Sequence, residues 1–214
     1  YKQNTTSRNQ KLLPYHNKLK EAGACFGVGG GFERPMWYAR KNQKAEYQYS
    51  FGYQNWYESA EFETTHARKY VALFELTPFS KFEMKGTNAH EALQYLCANN
   101  IKDTEGNTTY TQMLNPNGGI EADLTVTCIE KNFFRVVSGA AVRSHDKKHI
   151  LNNLKYDVEF SDITENFACL GLFGPKSRDL LTDLAGDKFN TEQFPFGSGK
   201  FLTVEGISIW FQRL

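Results

Sequence analysis

YTQMLNPNGGIEADLTVT, at residues 110–127, predicts two β-strands joined by a tight turn. The segment from Asn115 to Gly119 has the composition of a turn, and residues 124–129 form the returning strand. Glu121 and Asp123 stand at alternate positions, so both carboxylates project to the same side of an extended chain. The pattern is compatible with a plain hairpin that carries solvated acids and equally with a functional pair of carboxylates.

On either side of this stretch, runs of strands are separated by helices. Lys131-Asn132 gives a second tight turn and Phe133 to Val137 a third strand, which predicts an antiparallel meander. Further strands are predicted at residues 71–77, 81–85, 110–114, 158–163, 167–173, 201–204 and 207–211. Helices are predicted after a capping box of Asn88 and Glu91, after Gly174-Pro175, and at residues 64–70 and 143–155. This order predicts an α+β fold of antiparallel sheets with packed helices.

The composition argues against several classes of protein. The 214 residues include 25 basic and 24 acidic side chains, so bulk charge does not draw the chain to nucleic acid. No stretch reaches the roughly 20 apolar residues of a membrane span. The 4 cysteines are far apart and form no CxxC motif. We expect buried or half-buried thiols in a reducing compartment, either the cytoplasm or, in a eukaryote, the mitochondrial matrix.

Three other patterns have a functional and a structural interpretation, and the structural one is favoured. Gly27 to Gly31 lacks the third glycine of GxGxxG, which predicts a flexible connector and no phosphate loop. His145 and His149 have the spacing of a zinc-protease helix, but Asp146 stands where the catalytic Glu belongs, so we predict a surface helix without a metal. The aromatic stretch 37–62 is mixed with acids, which favours core packing or a docking surface over base stacking.

Residues 110–127 resemble a family signature, YTxMLNxxGGIExDLTVT. It belongs to the glycine-cleavage T-protein (aminomethyltransferase) superfamily, in the version found in dimethylglycine and sarcosine dehydrogenases. Three further stretches, at residues 31–38, 71–82 and 172–181, resemble that family's GWERPxWF, GLFDLSxFxKF and GPKSRxLL motifs. The resemblance spans nearly the whole chain and rests on several independent motifs.

The resemblance implies a T-protein-like folate-binding fold within a bifunctional enzyme. An upstream flavin domain with FAD would oxidise an N-methyl amine such as dimethylglycine or sarcosine. This region would then pass the one-carbon unit to tetrahydrofolate, giving 5,10-methylenetetrahydrofolate. Folate, the one-carbon donor and the flavin domain are the expected partners. The family's key carboxylate maps onto Asp123, and its folate contacts map onto Tyr110, Phe79, Val137, Gly139, Gly118 and Gly119.

The resemblance also implies a division of the chain. We expect residues 1–22 to be an arm or linker from the flavin domain, 23–155 a first folate-binding subdomain, and 156–214 a second, truncated one. The family's pterin-holding Glu, in a YxGExG-like motif, would fall just beyond Leu214, so we expect a fragment. Two alternatives remain open: a stand-alone T-protein-like aminomethyltransferase or demethylase, and a non-catalytic folate-binding or docking module.

Overall fold

The structure, a computed structural model, describes residues 2–214 and divides the chain into two compact units. The first comprises residues 2–78 and Phe167–Ser177, and the second comprises Phe79–Asn166 and Arg178–Leu214. The α-helices are α1 (His16–Glu21), α2 (Tyr57–Lys69), α3 (Ala89–Leu96), α4 (Arg143–Asn153) and α5 (Ser177–Ala185). The strands are β1 (Ala24–Gly29), β2 (Phe32–Tyr38), β3 (Ala72–Glu75), β4 (Ser80–Lys85), β5 (Thr108–Leu114), β6 (Ile120–Glu130), β7 (Phe133–Ser138), β8 (Glu159–Asp162), β9 (Leu170–Phe173), β10 (Ser198–Val204) and β11 (Ile207–Arg213).

The first unit is organised around two antiparallel strand pairs, β1 with β2 and β3 with β9. Gly30 and Gly31 connect β1 to β2 with φ values of 61° and 84°, a backbone region that glycine enters without steric cost. The prediction of a flexible connector at residues 27–31 is therefore wrong, because the segment is the end of a strand and its hairpin turn. In the aromatic stretch, Trp37 is buried whereas Tyr53 is exposed, so that stretch contributes to the core only in part.

The segment predicted as an arm is folded into the first unit. Leu13 is buried, and the backbone N–H of Glu33 in β2 donates to the carbonyl of Lys11 at 2.9 Å. The guanidinium of Arg8 donates two hydrogen bonds of 2.7 Å to the two carboxylate oxygens of Glu33. The backbone N–H of Asn9 donates to Glu33 Oε1 at 2.7 Å. These contacts make residues 8–13 part of the packed structure.

The second unit is built on a five-stranded antiparallel sheet in the order β5-β6-β7-β4-β8. Alternate residues of its strands are buried in one core, because successive side chains of a strand point to opposite faces. The core includes Phe82, Met84, Val126, Phe134 and Val136 from the sheet, and Ala92, Leu93 and Ile150 from α3 and α4. The predicted α+β fold is confirmed. Since β8 pairs with β4, the sheet continues across the predicted boundary at residue 155.

Some local signals in the sequence have a different outcome in the structure. Asn88 is the N-cap of α3, but its side chain makes no capping hydrogen bond, so the predicted capping box is absent. The helix after Gly174-Pro175 begins at Ser177, and its Leu180 and Leu184 are exposed. Helix α2 starts earlier than the predicted residue 64. Among the helices of residues 2–214, none combines the length and apolar character required to cross a membrane.

We expect Gly174→Ala to destabilise the first unit by more than about 2 kcal/mol, because the added Cβ would be strained in two ways. Gly174 has φ +113°, and its Cβ would overlap the carbonyl oxygens of Tyr70 and Ala67. Gly31→Ala is the matched control, since Gly31 has φ +84° but nothing within 4 Å, and it should cost only about 1 kcal/mol. Urea unfolding followed by Trp37 fluorescence measures both; equal losses would contradict the predicted overlap.

Candidate functional site

The polar face of the five-stranded sheet carries the candidate site. Gln112 in β5 lies opposite Asp123 in β6, and its Nε2 donates to Asp123 Oδ1 at 2.9 Å. Hydrogen bonds from Tyr110 and from Gln112 lower the pKa of Asp123, since they favour the ionised form. The same contact with Asp123 raises the pKa of Tyr110. Asp123 is therefore an ionised carboxylate on an exposed surface, with its neighbours Ala122 and Leu124 buried in the core behind it.

Strand register brings two of the predicted folate residues, Tyr110 and Val137, to this face. Tyr110 lies opposite Thr125, Thr125 opposite Val137, and Val137 opposite Lys81, so these residues form one row across β5, β6, β7 and β4. Tyr110 is 60% exposed, so its ring is available to a ligand. The candidate site is thus assembled by sheet pairing from residues that are distant in sequence.

Phe79 and Gly139 lie at the ends of this arrangement. Leu124 pairs with Ser138, which places Gly139 at the level of Asp123, just past the end of β7. The carbonyl of Gly139 accepts a hydrogen bond from Ser80 Oγ at 3.0 Å. Phe79 is half-buried immediately before β4, and its carbonyl accepts a hydrogen bond from Lys81 Nζ at 2.8 Å. The positions agree with a common site, and the roles of these two residues stay a prediction.

Gly118 and Gly119 form the tip of the β5–β6 hairpin. Asn115 closes this turn, because its Oδ1 accepts the backbone N–H groups of Asn117 and Gly119 at 3.0 and 2.9 Å. A Cβ on Gly119 would approach Asn115 Nδ2 to 2.8 Å. A side chain at position 119 would therefore displace the Asn115 side chain that closes the turn, and any contact of the two glycines with a ligand stays a prediction.

His145 and Asp146, predicted only as part of a surface helix, lie next to Glu121 in the structure. Asn115 Nδ2 donates to Glu121 Oε1 at 2.9 Å, and His145 Nε2 lies 3.1 Å from Glu121 Oε2. His145 Nδ1 lies 3.1 Å from Asp146 Oδ1, and Asp146 is completely buried. The alternating acids and the HDKKH segment were both visible in the sequence, but nothing in it indicated that they would meet.

The electrostatics of this cluster follow from its hydrogen bonds. The hydrogen bond to Asp146 is the first reason that the pKa of His145 is raised, and the charge of Glu121 adds to it. The hydrogen bond from Asn115, and then the charges of His145 and His149, lower the pKa of Glu121. The spacing of the two histidines is that of a zinc-protease helix, although the sequence predicted a surface helix without a metal. Within residues 2–214, no three His, Cys, Asp or Glu side chains are arranged to hold a metal ion.

The site is an open surface. Two surface depressions, of about 400 and 500 Å³, lie in the first unit and are both lined by Arg40 and Glu58. Neither contains a residue of the candidate site. We therefore base the chemistry on the polar sheet face, where an ionised carboxylate, an amide and an exposed phenol converge.

Comparison with known proteins identifies similar chains. The model of the GCVT N-terminal domain matches residues 15–214. The 4-methylaminobutanoate oxidase (formaldehyde-forming) of Paenarthrobacter nicotinovorans is 34% identical over 93% of this chain and 24% of its own length. Mitochondrial dimethylglycine dehydrogenase of Homo sapiens is 32% identical over 96% of this chain and 24% of its own length. The chain therefore spans about a quarter of these relatives.

A solved structure agrees with the fold. The glycine cleavage system aminomethyltransferase T of Bartonella henselae superposes with a TM-score of 0.70, covering 88% of this chain and 46% of that protein, at 22% identity. At that level of identity the likeness supports the architecture and leaves the chemistry to be argued from the residues of the site.

Proposed function

The chain belongs to the GCVT N-terminal domain family, and from this premise we propose that it is the tetrahydrofolate-dependent one-carbon-transfer region of an N-methyl amine dehydrogenase. The observation that carries the proposal is the ionised Asp123 on the open sheet face, hydrogen-bonded by Gln112 and Tyr110. Both relatives named above are, by their names, enzymes that oxidise amines at an N-methyl group. Dimethylglycine and sarcosine are the proposed substrates.

The residues present fit a folate in chemical type. The exposed ring of Tyr110 offers an aromatic surface, the amide of Gln112 offers a donor and an acceptor, and Asp123 offers a carboxylate to a basic nitrogen. The half-buried side chains of Val137 and Phe79 add apolar surface at the edge of this group. Ligand sites combine such apolar walls with a few polar groups that fix orientation.

Proton transfer is the task of Asp123 in this proposal. When bound, tetrahydrofolate would supply two amine nitrogens that take up the one-carbon unit of an iminium, giving 5,10-methylenetetrahydrofolate and the demethylated amine, with its two N–H protons passing to that amine. Because its pKa is lowered, Asp123 is ionised at neutral pH and can receive a proton on a carboxylate oxygen. Its negative charge also stabilises positive charge that develops beside it. The hydrogen bonds from Gln112 and Tyr110 hold the carboxylate in place and favour its unprotonated form.

The oxidation itself belongs to another part of the enzyme. The sequence has no dinucleotide-binding fingerprint, and the relatives are about four times longer than the matched segment. We propose that FAD binds in a partner domain, which generates the iminium from the N-methyl amine. The relative from Paenarthrobacter is named as forming formaldehyde, so release of formaldehyde is the competing outcome when no folate takes up the carbon.

Tetrahydrofolate binding, measured by calorimetry on the full-length protein that carries this chain, tests the proposal. We expect the wild type to bind, and Tyr110→Ala to bind about tenfold more weakly, because it loses an aromatic contact and a hydroxyl. Tyr95→Ala is the matched control, since Tyr95 is also an exposed tyrosine of the second unit but lies on α3. Unaltered binding by Tyr110→Ala would move the folate away from this face. No binding by the folded wild type would overturn the proposed function.

A further inference from the structure

A histidine held between two carboxylates adjoins the candidate site and has no part in the chemistry described so far. His145 Nε2 lies 3.1 Å from Glu121 Oε2, and His145 Nδ1 lies 3.1 Å from Asp146 Oδ1. The side chain of His145 is 52% exposed, whereas that of Asp146 is 1% exposed. The three residues therefore form a chain of hydrogen bonds that runs from a buried carboxylate to the surface.

We propose that His145 is a positioning residue of the one-carbon-transfer site, which holds Glu121 beside Asp123 as a second carboxylate for a cationic amine. This inference rests on the proposed function, because the amine that would use the pair is the iminium donor. In this proposal, His145 and Asp146 hold the carboxylate of Glu121 in place, and Glu121 contacts the cationic amine.

The burial of Asp146 is the first step of the argument. Its Oδ2 is buried and has no hydrogen-bond partner, and its Oδ1 has His145 as partner. Burying a carboxylate with one oxygen unpaired is costly unless a nearby positive charge compensates it. A simple surface helix has no need of an acid at this position, since alanine would fill the space without the cost. The buried acid Asp146 instead orients the imidazole of His145.

The charge state of His145 is the second step. A neutral imidazole has one N–H donor, whereas the imidazolium ion has two. Both nitrogens of His145 face carboxylate oxygens, so the geometry is satisfied completely only by the charged form. The pKa of His145 is raised, first by its hydrogen bond to Asp146, which agrees with this assignment.

The position of Glu121 is the third step. Glu121 and Asp123 are two residues apart on β6, so their Cα atoms lie within roughly 7 Å of each other. Glu121 occupies the bulge where the register with β5 shifts, and bulges of this kind re-aim a side chain beside a site. Asn115 and His145 each donate to Glu121, one to each carboxylate oxygen, which fixes the carboxylate at the open end of the face. The hydrogen bond from Asn115 and the positive charge of His145 lower the pKa of Glu121, so this carboxylate remains ionised.

The proposal predicts how transfer depends on pH. His145 loses its second proton as the pH rises through its raised pKa, and one of its two hydrogen bonds is then lost. Transfer to folate should therefore fall on the alkaline side. The other titratable groups near this cluster are Asp123 and Tyr110 on the sheet face and His149, one turn along α4. The charge of His149 also lowers the pKa of Glu121.

Two measurements on the full-length protein test the proposal. The first is the pKa of His145, from deuterium exchange at the imidazole C2 position followed by mass spectrometry. We expect it above 6.5 in the wild type and lower in Glu121→Gln, because one of the two carboxylates is removed. If the pKa of His145 in the wild type is that of an ordinary histidine, His145 is not held between the two carboxylates and the proposal is wrong, whether or not the protein binds folate.

The second measurement is the rate of one-carbon transfer between pH 6 and 9 in His145→Gln, a substitution at an exposed side chain that leaves the core intact. We expect transfer about tenfold slower and without the alkaline decline, while folate binding and flavin reduction are unchanged. Lys148→Gln, at an exposed position of the same helix, should keep the wild-type profile. If His145→Gln transfers at the wild-type rate with the same decline, the positioning role is wrong even though folate transfer stands. If the wild type binds folate but forms no methylenetetrahydrofolate, the proposed function fails first, and this inference with it.

Discussion

Asp123→Asn lowers the rate of one-carbon transfer to tetrahydrofolate by an expected factor of about 10² to 10³, which is the usual contribution of a positioned acid or base. Asparagine keeps the size and the contact with Gln112 but cannot take up a proton. Asp123 is exposed and makes its contacts on the surface, so the substitution should leave the stability of the second unit nearly unchanged. If Asp123→Asn loses one-carbon transfer but folds as the wild type does, Asp123 has a role in the reaction and not in stability.

The design of this measurement uses a control on the same strand. Glu130 is an exposed acid at the opposite end of β6, so Glu130→Gln removes one charge from the same strand at a distance from the site. Single-turnover assays would follow methylenetetrahydrofolate and formaldehyde together, after reduction of the flavin by the N-methyl amine. We expect Asp123→Asn to divert carbon to formaldehyde and Glu130→Gln to behave as the wild type. Equal transfer by all three proteins would remove Asp123 from the mechanism.

The short-range features of the site could be predicted from the sequence because each rests on local physics. Alternation along residues 122–126 places Ala122 and Leu124 in the core and Asp123 outside it, and a strand of period two requires that arrangement. The glycines at the hairpin tip follow from turn geometry in the same way. Once the strands were located, the exposed position of Asp123 was already determined.

The contacts that shape the site's surroundings could not be predicted in this way. His145 meets Glu121 because α4 packs near β6, and the pairing of β3 with β9 joins segments from opposite halves of the chain. Such contacts depend on tertiary packing, and a single sequence contains no periodic signal for them. The capping box at Asn88 shows the opposite error, since a valid local signal was not used by the folded chain.

The pair of Arg8 and Glu33 has the largest expected effect on stability. Glu33 is 2% exposed, and Arg8, which is 29% exposed, binds both of its carboxylate oxygens. Arg8→Ala would leave a buried carboxylate with only the backbone N–H of Asn9 as donor. We expect a loss of about 3 kcal/mol in the free energy of unfolding of the first unit, at the low end of the range for breaking a buried pair because Arg8 is partly exposed. Lys20→Ala, which removes an exposed cation nearby in sequence, should cost less than about 0.5 kcal/mol.

Acid titration distinguishes this ion pair from simple loss of packing. The hydrogen bond from Arg8 lowers the pKa of Glu33, so the folded pKa lies below the unfolded value of about 4.5. The stability from this pair is therefore present in full above the unfolded pKa and is lost as the pH falls through the folded one. We expect the difference in the free energy of unfolding between wild type and Arg8→Ala to be constant from pH 8 to 6 and to shrink below about 4.5. Urea unfolding followed by the fluorescence of Trp37 and Trp56 measures it.

In the double mutant Arg8→Met with Glu33→Gln, most of the lost stability should return, because no buried charge is left unpaired. A difference that stays the same down to pH 3 would assign the effect of Arg8 to its hydrocarbon chain, and the first residues would then be held in place mainly by apolar contacts such as that of Leu13.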